Sequence, residues 1–112
     1  MQLNVRTLNL DASQTLDQYA NERMEALLGF VADRVESIDI RLEDDHGSRH
    51  GRQLRCNVRV HIAGAGTVMV DQVDTDIYRA IDEAGRRVKR AVRRRVKRSQ
   101  VFDHRRASRA AA

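Results

Sequence analysis

The 112-residue chain contains no proline, no tryptophan and a single cysteine, and its aromatic residues are two tyrosines and two phenylalanines. A lone Cys56 excludes an internal disulfide framework and suits a reducing compartment. No apolar run reaches transmembrane length, and Met1 leads straight into alternating polar and apolar residues rather than a signal-peptide core. With so few aromatics, the core has to come from Val, Ile, Leu, Ala and Met, and an apolar content of 41% is enough for one two-layer domain. A phosphate-cradling glycine loop, a nucleophile elbow and an inward-facing carboxylate pair are also missing. These absences predict a soluble cytoplasmic protein that is not an enzyme, takes no cofactor or small-molecule substrate and has no membrane partner.

What the chain does contain is positive charge in one place. Arg86 to Arg98 carries nine Lys or Arg and no acid, whereas residues 1–85 hold nine Lys or Arg against fifteen Asp or Glu. The overall charge of +5 therefore hides an acidic body and a basic segment. A segment of this kind meets an anionic partner, with RNA, DNA and anionic membrane as the general candidates.

Gln2 to Leu8 alternates with the period of a half-buried strand. Asp11 or Ser13 can cap a helix over about 13–32, Asp11 and Gln14 having capping-box spacing. Its apolar stripe is Leu16, Tyr19, Ala20, Met24, Leu27 and Val31. Period two returns in Ile38 to Glu43, in Gln53 to Ile62, and in Val68 and Val70 after the hairpin link Gly64-Ala65-Gly66. Asp44 to Gly51 reads as an exposed loop. A last helix opens near Asp74, with acids early and bases late, as the helix dipole favours. Ile77, Ile81, Ala84, Val88, Val92 and Val96 form its apolar stripe, and Arg86, Lys89, Arg90, Arg93, Arg94 and Lys97 spread over the opposite half, with Arg87 and Arg98 at the edge. Arg95 projects onto the stripe, so either the helix outruns the sheet there or Arg95 snorkels. Periodicity is lost from Ser99, which predicts a domain over 1–98 and a flexible basic tail over 99–112. The order βαβββα gives an α+β two-layer fold, a four-stranded sheet with both helices on one face.

The residues Asp74-Thr75-Asp76-Ile77-Tyr78-Arg79-Ala80-Ile81-Asp82 resemble the Asp-Met-Tyr-x-Ala-Ile-Asp/Asn signature of the ribosome hibernation-promoting factors, also called sigma-54 modulation or ribosome-associated inhibitor proteins. Met1-Gln2-Leu3-Asn4-Val5 is similar to that family's opening strand, and the likeness extends over residues 1–98. It implies a short-form member, with a fold like that of double-stranded-RNA-binding domains. It further implies binding to small-subunit ribosomal RNA in the decoding channel, excluding messenger and transfer RNA under stress, as a monomer when bound. Arg87, Arg90 and Arg94 match basic positions in the family's second helix, Arg23 a basic position in the first, and His61 a histidine at the end of the third strand. Ala26, Gly29 and Gly85 depart from the pattern.

The physical argument for RNA agrees with the resemblance. Outward Lys and Arg release condensed counterions on binding phosphates, and seven of the nine basic residues are Arg, whose planar fork grips phosphate and stacks on bases. The candidate RNA-binding set is Arg23, Arg86, Arg87, Lys89, Arg90, Arg93, Arg94, Lys97 and Arg98. Arg6, Arg41, Arg55, Arg59 and His61 on the open sheet face either extend the footprint or pair with Asp39, Glu43 and Asp71. Tyr78 reads as a structural anchor before a base-stacking residue, and the aromatics form no stacking platform. His46 and His50 lack a second ligand pair, so no metal site is expected. The alternatives are a generic RNA binder and a protein-interaction module without a ribosomal role.

Overall fold

The computed structural model describes residues 1–11, 13–45 and 53–111, with the backbone alone at 45 and 101–111. The elements are β1 (Gln2–Leu8), α1 (Gln14–Leu28), a 3₁₀ turn (Gly29–Val31), β2 (Val35–Asp45), β3 (Gln53–Ile62), β4 (Gly66–Asp74) and α2 (Ile77–Ala111). The sheet runs in the order β1-β2-β3-β4, with β1 parallel to β2 and the other pairs antiparallel. The expected α+β arrangement is present.

Period-two patterning fixes the register. Ile40 sits between Val5 and Val58, and Val58 between Ile40 and Val70, so apolar side chains line up across all four strands. Ile38, Ile40, Leu42, Leu54, Cys56, Val58, Val60 and Ile62 are buried on this face, and both helices cover it. Leu16, Ala20, Met24 and Leu28 come down from α1, and Ile77, Ala80, Ile81, Ala84, Val88, Val92 and Val96 from α2. The core is aliphatic, as the composition required. Cys56 is fully buried in it, where desolvation, reinforced by the Asp71 charge, pushes the thiol up to about 12.

Several boundaries differ from the sequence reading, each for a local reason. Ser13, not Asp11, caps α1: its extended backbone (φ −130°, ψ 137°) lets Oγ accept from the Leu16 amide at 2.9 Å. Asp44 belongs to β2, paired with Leu54 and buried, rather than to the loop. Residues 46–52, with His46 and His50, lie outside the described residues. α2 begins at Ile77 because Asp76 accepts from the Tyr78 amide at 2.9 Å, while Asp74 accepts from the Asp76 amide and shapes the turn before it. α2 also continues past Arg98 to Ala111. No glycine or proline follows Gly85 to interrupt the helix.

Two contacts set how α2 lies. At Gly85 a Cβ would stand 2.5 Å from Leu27 Cδ1 and 3.5 Å from Met24 Cε, so α1 crosses α2 so closely that any side chain there would have to displace Leu27. Farther along, the β3–β4 turn receives donors at three successive carbonyls. Arg34 Nη2 donates to Ala63 O at 3.3 Å, Ser99 Oγ to Gly64 O at 3.5 Å and Arg95 Nη1 to Ala65 O at 3.0 Å. Arg95 thus lies over the turn as a half-buried strut, which is why it occupies the apolar side of the helix.

Candidate nucleic-acid interface

The stripe that buries Val88, Val92 and Val96 turns the other half of α2 outward, and the basic residues there fall into two groups. Some are committed within the fold. Arg86 pairs with Glu83 one turn earlier. Arg87 Nη1 donates to Asp71 O and to Gln72 Oε1, both at 2.8 Å, fastening α2 to the free edge of β4. On α1, Arg23 Nε lies 2.9 Å from Asp82 Oδ1, in an ion pair poorly aligned for a hydrogen bond. The same Asp82 oxygen accepts from Tyr19 Oη at 2.7 Å. Hydrogen bonding to Asp82, then burial and the carboxylate charge, raise the Tyr19 hydroxyl above its ordinary pKa.

The others have no acid partner among the described residues. Among the described residues, Lys89, Arg90, Arg93, Arg94, Lys97 and Arg98 form no ion pair with a carboxylate. Arg87, Arg90, Arg94 and Arg98 follow at helical spacing along the β4 side. They border a hollow of about 630 Å³ floored by Met69 and Val70, and its continuation of about 290 Å³ beside Thr67 and Val68. An unneutralised row of guanidinium groups along an open groove suits a linear polyanion. Of the nine candidate residues, α2 therefore gathers eight on one rib, while Arg23 stands apart and is held by Asp82.

The open sheet face behaves differently. His61 Nε2 is 3.0 Å from Asp39 Oδ2, and its Nδ1 is 2.9 Å from Thr67 Oγ1. Arg55 approaches Asp71 at 3.6 Å, and Arg41 approaches Glu43 at 3.8 Å. The Asn4 amide donates to Asp39 at 3.1 Å and, ahead of His61 and Arg6, holds that carboxyl below the usual carboxylate range. Most of this face is thus internally paired, as one of the two sequence readings had it. Arg59 stays exposed and, among the described residues, takes part in no hydrogen bond or ion pair.

Tyr78 meets Tyr19 edge to face, with ring centroids 4.9 Å apart and planes at 80°, which fits the anchor reading. Sequence reasoning missed Phe30. This ring is 48% exposed in the 3₁₀ turn, with Lys89 Nζ 5.9 Å and Arg93 Cζ 5.4 Å from its centroid. The available signal was a bulky aromatic just past the α1 stripe, flanked by Gly29. Among the described residues no cluster of three or more His, Cys, Asp or Glu is placed to hold a metal, and no helix is long and apolar enough to cross a membrane.

Comparison with known proteins gives a consistent picture. The model of a family described as sigma 54 modulation protein / S30EA ribosomal protein matches residues 3–100. The N-terminal domain of Protein Y from Thermus thermophilus superposes with a TM-score of 0.70 and 25% identity, over 84% of this chain and 98% of that one. A ribosomal subunit interface protein from Coxiella burnetii superposes with a TM-score of 0.68 and 12% identity, over 84% and 96% of the two chains, a likeness of fold. No curated protein matches significantly by sequence.

Proposed function

This chain belongs to the sigma 54 modulation protein / S30EA ribosomal protein family, and from that we propose that it is a ribosome-associated translation inhibitor. In this reading, residues 1–98 bind small-subunit ribosomal RNA in the decoding channel and exclude messenger and transfer RNA under stress. The observation that carries it is the row Arg90, Arg94 and Arg98, uncommitted to any carboxylate among the described residues and held outward on a core-packed helix. The Coxiella burnetii protein that shares this fold is itself a ribosomal subunit interface protein, which agrees with a ribosomal partner.

The residues account for the binding without covalent chemistry. Each phosphate neutralised releases counterion, giving affinity that depends on RNA shape and charge rather than sequence. Burial of Val88, Val92 and Val96 fixes the helix on the sheet, so the face that carries the arginines is set before RNA arrives. Inhibition then follows from occupancy, because the bound domain fills space that transfer RNA needs. The purified chain should co-sediment with small subunits, and added transfer RNA should displace it. A chain that stays in the supernatant at low salt, or binds random structured RNA equally well, removes the ribosomal assignment.

A further inference from the structure

We propose that Phe30 is a stacking platform for an unpaired nucleobase of RNA, with Lys89 and Arg93 placed to grip the adjoining phosphates. The chain on either side of Phe30 already supplies the core contacts: Leu28 is fully buried and Val31 is 5% exposed, while Phe30 between them stays 48% exposed. Single exposed apolar residues are ordinary, so exposure alone carries nothing. What distinguishes this ring is its company. Two cations from the basic face, one turn apart on α2, stand 5.9 Å and 5.4 Å from its centroid, and neither is in an ion pair among the described residues. A half-exposed π-surface with two cations over it, neither neutralised by a carboxylate among the described residues, is the combination by which single-stranded nucleic acid is held, bases on rings and backbone on cations.

Access to the ring is also open. The ring is half exposed, and a Cβ built on the adjoining Gly29 would meet no atom within 4 Å. The ring is carried by a short turn tied at both ends into the core, which fixes its position relative to α2. The RNA contact thereby gains a feature that the arginine row lacks. Guanidinium groups on phosphates accept paired and unpaired RNA alike, whereas a base that stacks on the face of a ring has to be out of its helix.

This inference rests on the reading of α2 as the RNA-facing helix, and the test separates the two. The chain has no tryptophan, so Phe30→Trp installs a sole indole reporter at the site. With small ribosomal subunits, Phe30→Ala should weaken binding on the order of tenfold, and Phe30→Leu nearly as much, because the aliphatic chain offers no π-face. Unchanged urea midpoints would show that both variants fold. Phe30→Trp should keep its affinity and lose emission on binding. If Phe30→Leu and Phe30→Ala bind like the native chain while Arg90→Glu/Arg94→Glu does not, stacking is wrong and the basic-helix reading stands. Should the native chain ignore small subunits altogether, the ribosomal reading fails. The indole then decides this proposal alone: quenching by a single-stranded oligoribonucleotide but not by its abasic counterpart supports it, and equal or absent responses overturn it.

Discussion

Asp82 shows how far a single side chain's role depends on its neighbours. In the sequence it is one of several acids at the start of α2. In the fold its Oδ1 takes both the Tyr19 hydroxyl and Arg23, so it joins α1 to α2 and removes Arg23 from the pool of free cations. Replacing Tyr19 with Phe should cost about 1 kcal/mol at neutral pH, since a half-buried hydroxyl leaves a charged acceptor. The pH dependence follows from the direction of the shift. The folded value is raised above 10.0, so the neutral hydroxyl contributes fully below pH 10 and its contribution disappears as pH rises through the folded value. Urea unfolding of native and Tyr19→Phe chains should therefore show a gap in midpoint at neutral pH that narrows above pH 10. A gap that is constant with pH would mean the hydrogen bond is not made.

At the level of elements, the crossing of α1 and α2 is the least tolerant contact. Gly85→Ala places a methyl against Leu27 Cδ1, the mobile end of a side chain, and the gain in helix propensity of about 1 kcal/mol offsets part of the crowding. Gly85→Leu has no such relief and should destabilise the protein by about 2 kcal/mol, read as a lower denaturation midpoint with an unchanged slope. A Leu variant as stable as the native chain would show that the helices can separate freely. The elements themselves were legible in the sequence wherever one periodicity held without interruption. The strict alternation from Gln53 to Ile62 and the stripe from Ile77 to Val96 both gave the observed burial. Ends were less legible because they depend on competing local bonds: Asp11 and Ser13 could each cap α1, and it is the extended Ser13 whose Oγ takes the Leu16 amide. Arg95 was visible as a misfit on the apolar stripe. Its partner, the Ala65 carbonyl, lies thirty residues away in sequence and could not be read from the stripe.

Across the whole molecule, charge divides by face. The open side of the sheet pairs Arg41, Arg55 and His61 with acids, while among the described residues the outer side of α2 leaves most of its cations without them. The sequence located the positive charge but not which cations are already satisfied, because Gln72 and the Asp71 carbonyl reach Arg87 only through tertiary packing. This division makes a quantitative statement about binding. The plot of log affinity for small subunits against log salt should fall with a slope that Arg90→Glu/Arg94→Glu flattens by about 1 per contact removed. Arg23→Ala should leave the slope nearly unchanged, since Asp82 already neutralises that charge. Equal flattening by both would mean that net charge, rather than the row on α2, governs the interaction.

The Arg87 contact at β4 has one more effect. β4 ends the sheet, and its outer backbone groups are a template on which another strand could grow. Arg87 covers the Asp71 carbonyl on that edge, and a second copy of the chain joining β4 to β4 would bring its own arginine row toward Arg90, Arg94 and Arg98. The row that attracts a polyanion is therefore also a fence against fibrous self-association. That fence stands only while the guanidinium groups are unscreened, so concentrated stocks of the free protein should be more prone to form strand-linked aggregates in strong salt than in weak.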